Sequence, residues 1–314
     1  MTPPRDAPVA AVDIGTNSVR LLIAVGDGAT QIHTLDRRLK ITRLGQGVDA
    51  SGALALSAVQ RTADAVAEFA TRWQAAGVQQ TRVYSTSAAR DATNALVLQQ
   101  AISRACGVRL EILSGQQEAA LAFRGATEGL SAQQSPFAVL DIGGGSTKVV
   151  VGTDRPLRST SRQIGSVRLT ERVLTSDPPT AAQIARARQV ATTEADAAAT
   201  AVGSLQEATL IGVAGTATTL AAVHTGVLTY VDGCVDRVEM TVQQVGAMAT
   251  ELLGSSASEI ARIAAVQRGR EDVLAAGALI LDTMMQRLGC SQILIRESDG
   301  LDGMVLQMIR GPRG

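Results

Sequence analysis

A chain of 314 residues is longer than one hydrophobic core usually grows, so about two domains are expected. Its 29 basic residues balance 29 acidic ones, with 46% hydrophobic and 18% charged residues, which excludes a disordered chain and leaves no basic field for non-specific nucleic-acid binding. Aromatics at 2% leave few base-stacking surfaces, and three scattered cysteines and two histidines (His33, His224) supply neither a disulfide framework nor a His-rich metal centre.

Met1–Pro8 carries charges and three prolines but no apolar stretch, so it does not read as a secretory leader. No run reaches the ~18 apolar residues of a membrane span. The expectation is a soluble, cytoplasmic protein with neither a nucleic-acid nor a membrane partner. Residues 9–25 read as two apolar strands around a polar break at Gly15, Thr16 and Asn17, a hairpin signal. Residues 30–43 continue as a third, more polar strand, and 45–52 as a loop. Leu54, Val59, Ala63, Val66 and Phe69 place a helix over 53–76. A strand at 82–85, a helix at 94–106, a strand at 109–113 and a helix at 116–128 follow. The order βββαβαβα is α/β.

A polar break at 131–135 marks the expected boundary between domains 1–130 and 131–314. Residues 137–152 then repeat the strand, Gly-rich turn, strand pattern, with a third strand at 157–163. Helices are expected at 164–174 and 180–202, the first stopped by Asp177-Pro178-Pro179. A buried strand at 208–213 leads into a helix at 215–223. Helices at 241–253, 256–263 and 270–288, a strand at 292–295 and a closing helix at 301–309 complete the chain. The alanine-rich helices carry no chemistry.

The most informative feature is an internal repeat. Asp13-Ile14-Gly15-Thr16-Asn17-Ser18-Val19-Arg20 aligns with Asp141-Ile142-Gly143-Gly144-Gly145-Ser146-Thr147-Lys148, 128 residues later. This indicates a duplicated two-lobe architecture with the two turns facing each other across a cleft, rather than a short-period solenoid. A Gly-rich strand-turn-strand converges backbone N–H groups into a phosphate nest, and Ser and Thr add hydroxyl donors. The aspartate ending each first strand, Asp13 and Asp141, suits a hydrated Mg²⁺ or another divalent cation. One copy alone reads equally well as a tight hairpin with a capping Asp; two matched copies favour the nest. A third turn, Ala214-Gly215-Thr216, enters a helix and reads either as an anion site or as an N-cap by Thr216 or Thr218. Glu118 lies in a helical first turn capped by Ser114 and Gln117. Taken alone that is dipole compensation; a location between the lobes would make it a candidate general base.

Together these residues resemble the Ppx/GppA phosphatases, the exopolyphosphatase and guanosine-pentaphosphate phosphohydrolase family of the sugar kinase/Hsp70/actin superfamily. The resemblance rests on residues 13–23, 85–90, 113–119, 141–147, 164–171, 214–220 and 269–273, and is greatest to the short two-domain members. It implies a duplicated two-lobe actin-like α/β fold with a cleft between the lobes. It implies Mg²⁺-dependent release of terminal phosphate from inorganic polyphosphate, or the 5′-phosphohydrolysis of guanosine pentaphosphate. A third reading is a catalytically weak binder of polyphosphate or a nucleotide. Under the resemblance Asp13, Gly15, Thr16, Asn17, Ser18 and Arg20 form the first phosphate loop. Gly143, Gly144, Gly145, Ser146 and Thr147 form the second, with Asp141 at a metal position. Gly215 and Thr216 belong to the third turn. Arg90 contacts the phosphate chain and Glu118 is the catalytic base. Phosphoanhydride cleavage asks for an aligned water and charge stabilisation.

The departures matter. Lys148 stands where the family has Glu. It supplies charge to the phosphates in place of a metal contact, weakens the metal site, or points away to a surface acid. Gly300-Leu301-Asp302-Gly303 lacks an arginine of the family pattern, and Asp236-Arg237-Val238 lacks its histidine. Arg20, Arg43, Arg90, Arg124, Arg168, Arg268 and Arg270 are candidate polyanion contacts, with Arg20 and Arg90 preferred. A homodimer is compatible with the sequence.

Overall fold

The computed structural model describes residues 7–26 and 32–311. Most of the segment read as lacking a leader, and residues 30–31 of the third predicted strand, lie outside them. The chain divides into two compact units, Met1–Gly125 with Gly300–Gly314, and Ala126–Asp299.

In the first unit β1 (Val9–Ile14), β2 (Ser18–Gly26) and β3 (Ile32–Ile41) form an antiparallel meander, followed by α1 (Val48–Ser51) and α2 (Leu56–Ala75). Then come β4 (Gln80–Ser85), α3 (Ser87–Asp91), α4 (Ala95–Cys106), β5 (Leu110–Ile112) and α5 (Gly115–Thr127). The sheet order is β3-β2-β1-β4-β5, with β4 parallel to β1 and β5 parallel to β4. Strand periodicity sends Ala10, Val12 and Ile14 against Val66 and Phe69 of α2 and Leu98 of α4. Val9, Ala11, Leu22 and Ala24 face the other way, onto Leu121 of α5 and onto Leu301, Met304 and Val305 of the closing helix.

In the second unit β6 (Phe137–Ile142), β7 (Thr147–Gly152) and β8 (Pro156–Arg162) repeat the meander, followed by α6 (Ser166–Arg172) and α7 (Ala181–Val202). β9 (Thr209–Val213), α8 (Ala214–Thr225), β10 (Glu239–Thr241), α9 (Val242–Gly254), α10 (Ala257–Ile260), α11 (Leu274–Arg287) and β11 (Gln292–Ile295) complete it. The order β10-β11-β9-β6-β7-β8 matches the first sheet about its central hairpin, with β9 in the place of β4 and one strand added at the edge. Leu140, Ile142 and Val149 pack with Ala187, Ala191 and Ala195 of α7 and with the apolar α11. The alanine stripe of α7 is thus core, and Thr180 with Gln183 forms its capping box.

The duplicated α/β architecture agrees with expectation, but the division differs. The unit boundary falls at 125/126, and α12 (Gly300–Arg310) belongs with the first sheet rather than with 131–299. Leu301, Met304 and Val305 form the apolar stripe that covers β1 and β2. The buried Arg124 guanidinium donates to the carbonyls of Leu306 (3.0 Å) and Gly311 (2.7 Å), and Arg37 pairs with Asp302, so α12 is anchored by charge-assisted bonds as well. Among the described residues no helix is long and apolar enough to cross a membrane.

Candidate functional site

The repeat is exact at the level of strand register. In β1–β2 Asp13 lies opposite Arg20, and in β6–β7 Asp141 lies opposite Lys148. The same bond closes each turn: Gly15 N–H donates to Ser18 O at 2.9 Å and Gly143 N–H to Ser146 O at 3.0 Å.

The segment after each third strand then takes up the carbonyls of the turn. Thr16 O accepts from Gly45 N–H (2.8 Å), and Asn17 O from Thr42 N–H (3.0 Å) and Arg43 N–H (2.9 Å). In the second unit Gly143 O accepts from Ser166 N–H (3.0 Å) and Gly144 O from Arg168 N–H (3.1 Å). Gly145 O accepts from Arg168 Nε at 2.7 Å. A planar trans peptide points its N–H opposite its C=O. The amides of Asn17 and Ser18, and those of Gly144, Gly145 and Ser146, therefore point away from the bracing segments. Successive amides aimed to one side are the elements of an anion nest. Close packing explains Gly165: a Cβ there would lie 2.5 Å from the backbone of Gly144.

The hydroxyls divide by role. Thr147 is fully buried and its Oγ1 donates to Ile164 O at 2.7 Å, so it braces the turn. Ser146, also buried, accepts from Lys148 Nζ at 3.4 Å. Lys148 turns inward: its side chain is 2% exposed and Nζ lies 3.2 Å from Asp141 Oδ2. That overturns the reading in which it points away to a surface acid. In the first turn Arg20 Nη2 lies 2.5 Å from Asp13 Oδ2 with its side chain 22% exposed.

These pairs bear on the expected cation. Mg²⁺ is commonly held through only one or two carboxylates plus substrate oxygens. The aspartates expected to hold it, Asp13 and Asp141, each already carry a side-chain cation within salt-bridge distance. At Asp141, whose carboxylate is engaged by the buried Lys148 ammonium, the residues present do not fit a resident divalent cation.

Glu118 and Arg90 come together. The capping box forms as the spacing predicts, with Gln117 N–H donating to Ser114 Oγ (3.2 Å) and Ser114 N–H to Gln117 Oε1 (2.9 Å). It places Glu118 at the start of α5. Arg90, on α3, donates through Nη1 to Leu113 O at 2.8 Å and to Glu118 Oε2 at 3.4 Å. The Glu118 side chain is 12% exposed. Ile14, Ser85 and Ile112 are register neighbours across β1, β4 and β5, so the first turn, Arg90 and Glu118 all follow the carboxyl ends of parallel strands. Ser85 Oγ donates to Ile14 O at 2.7 Å and Leu113 N–H to Ser85 O at 2.9 Å, tying the three strand ends together.

The third turn leads from β9 into α8. Neither Thr216 nor Thr218 caps the helix, whose N-cap is Val213 without a side-chain bond; Thr218 Oγ1 instead donates to Ala214 O at 3.2 Å. Ala214 holds φ 65, a left-handed conformation costing about 1–2 kcal/mol in a non-glycine residue. The missing Cβ of Gly215 lets the Arg270 guanidinium lie against the helix start, and Thr216 is buried. Burial, and after it the nearby Glu297 carboxylate, pushes the Tyr230 phenol up, so it stays protonated.

Arg168 and Arg270 stood among the candidate cations without preference, yet both support turns; their signal was the Ile164–Glu171 and Gly269–Val273 stretches of the resemblance. Ser85 opens the 85–90 stretch, and nothing in its spacing announces the bond to Ile14. Arg124 serves α12 rather than a phosphate.

The sequence pattern of the Ppx/GppA phosphatase family matches residues 22–310. The chain is 37% identical over 312 residues to Exopolyphosphatase 2 of Mycobacterium tuberculosis, covering 96% of this chain and 98% of that protein. The crystal structure of an exopolyphosphatase-like protein superposes with a TM-score of 0.92 at 34% identity, covering 97% of this chain and 99% of that one. A guanosine-5′-triphosphate,3′-diphosphate pyrophosphatase of Vibrio parahaemolyticus is 34% identical over 162 residues, 50% of this chain and 32% of that protein. On this sequence and on this doubled fold, the chain belongs to the Ppx/GppA phosphatase family and is a phosphatase of the hydrolase class.

Proposed function

We propose that the protein is an exopolyphosphatase, in which water attacks the terminal phosphorus of inorganic polyphosphate, the bridging P–O bond breaks and orthophosphate leaves. The observation that carries the reading is Glu118, fixed by Arg90 and by its capping box at the carboxyl ends of the parallel strands. Its carboxylate orients the attacking water and takes a proton from it. Arg90 holds that carboxylate in place and offers its guanidinium to the terminal phosphate. The first turn supplies the amides of Asn17 and Ser18 together with Gly15, Thr16 and Arg20. The second turn, Gly143–Ser146 with Lys148, is a further phosphate cradle, braced by Thr147, and Gly215 and Thr216 with Arg270 a third. Polyphosphate presents the same tetrahedral anion repeatedly, so one ligand chemistry suits every cradle. Divalent ions that travel on the chain belong to the substrate.

Support comes also from the relative called an exopolyphosphatase, which aligns over nearly the whole chain. The second reading, removal of the 5′-terminal phosphate of guanosine pentaphosphate, draws on the shorter match to the Vibrio protein. The aromatic residues weigh against it. Phe69, Trp73, Tyr84, Phe123 and Phe137 are all buried, which leaves Tyr230 as the aromatic side chain available to stack on a guanine. The three cysteines are free thiols, which suits the cytoplasm. Comparing kcat/KM on long-chain polyphosphate and on guanosine pentaphosphate tests the reading. A higher value on polyphosphate, with KM rising steeply as salt is added, is expected. A higher value on the nucleotide would overturn the substrate choice.

A further inference from the structure

Lys148 is among the largest fully buried side chains of the described chain. An ammonium is rarely buried this deeply, because it loses its hydration unless charge and hydrogen bonds replace it. Here the replacement is local. Nζ lies 3.2 Å from Asp141 Oδ2 and 3.4 Å from Ser146 Oγ. A Cβ built on Gly143 would stand 3.6 Å from Nζ, so the ammonium rests against the glycine that opens the turn. The cation therefore sits inside the loop whose Gly144, Gly145 and Ser146 amides are turned away from the bracing segment. It also engages Oδ2 of the Asp141 carboxylate, one of the two oxygens a small hard cation could use.

We propose that Lys148 is the built-in cation of the second phosphate cradle, and that by engaging Asp141 it makes phosphate-chain binding there independent of a protein-held divalent ion. The inference rests on the polyphosphate reading above. A divalent ion placed beside Asp141 would meet a positive charge a few ångströms away. The strong dehydration cost of Mg²⁺ adds to that repulsion. An incoming phosphate oxygen, in contrast, finds a desolvated ammonium and amide donors already in place, with little left to reorganise.

The test pairs two binding measurements on the full-length protein. Mn²⁺, as a spectroscopic stand-in for Mg²⁺, is titrated into protein without polyphosphate and read as free Mn²⁺ by electron paramagnetic resonance. Medium-chain polyphosphate binding is measured by calorimetry in EDTA and in Mg²⁺. Wild type is expected to show no stoichiometric Mn²⁺ site and to bind polyphosphate in EDTA. Lys148→Met is expected to weaken that EDTA-stage binding about tenfold or more. Lys148→Glu, which sets two carboxylates side by side, is expected to gain one Mn²⁺ equivalent. The inference is overturned if wild type takes up one Mn²⁺ that Asp141→Asn abolishes, or if it binds polyphosphate only with Mg²⁺; both results leave the substrate reading standing. Failure to bind polyphosphate under either condition overturns the substrate reading itself. The wild-type titrations decide the matter even if a Lys148 variant does not fold.

Discussion

The two hairpins share topology, register and turn closure, and differ in how they hold their charges. In the first, Asp13 meets a guanidinium that still reaches solvent; in the second, Asp141 meets an ammonium sealed from it. Coulomb attraction at similar separations is far stronger where water is excluded, and so is the penalty of losing one partner. The same local geometry thus yields a tunable, solvent-screened pair in one unit and an obligatory one in the other. Duplication preserved the frame, while a single residue type at the position opposite each aspartate sets how the turn manages charge.

Removing the aspartates should separate the two sites most sharply. Asp141→Ala leaves an ammonium buried without its carboxylate and is expected to cost about 3–5 kcal/mol in urea denaturation. Asp13→Ala leaves an arginine that can reach water and is expected to cost about 1 kcal/mol or less. Equal losses would break the comparison. The bracing glycines give a second contrast. Gly165→Ala drives a Cβ into the Gly144 backbone, which cannot rotate aside, and should cost about 1–3 kcal/mol. At Gly45 the obstacle is the Thr16 methyl, a side-chain atom, so Gly45→Ala should be milder and largely rescued by Thr16→Ser. Two buried hydroxyls at unlike positions should weigh alike. Ser85→Ala and Thr147→Val each remove a buried hydroxyl bond of 2.7 Å to a backbone carbonyl, that of Ile14 at the end of β1 and that of Ile164 after β8, and should each cost about 1–2 kcal/mol.

The smallest effect concerns the thiols. Burial raises the Cys106 thiol in the first unit and pushes Cys290 up to about 11 in the second, from an ordinary value of 9.0. The folded state thus holds the Cys290 proton where the unfolded chain has released it. That stabilisation is complete below about pH 9 and is lost as pH rises toward about 11. Stability of wild type should fall across this window more than that of Cys290→Ala, as followed by thermal melting at each pH.

Much of the fold was legible because long elements carry strong patterns. Both hairpins, α2, α7 and β9 lie where alternation or helical periodicity places them. Short elements were not legible. α3 has five residues, too few for a period, and β10 has three, the last of which, Thr241, also caps α9 through Gln244. That capping signal outweighs the strand. The spacing of Leu301, Met304 and Val305 announces an apolar helix face but not which sheet it covers, so α12 followed chain order in the expectation and the first sheet in the structure. At the candidate site, residue types and the repeat pointed to the turns, to Arg90 and to Glu118. Partner choice was not legible: no spacing says that Arg90 reaches Glu118, that Thr147 reaches Ile164, or that Lys148 turns inward. The first two depend on contacts between separate segments, and the third on how completely the second hairpin is enclosed.

The central claim is that Glu118 activates water for release of terminal phosphate from polyphosphate. The most direct measurement is orthophosphate release from long-chain polyphosphate by wild type and by Glu118→Gln, with polyphosphate binding followed in parallel. Steady release by wild type, a loss of ~10²–10⁴-fold in kcat for Glu118→Gln, and little change in binding are expected. Undiminished release by Glu118→Gln, or none by folded wild type that binds the chain, would contradict that claim.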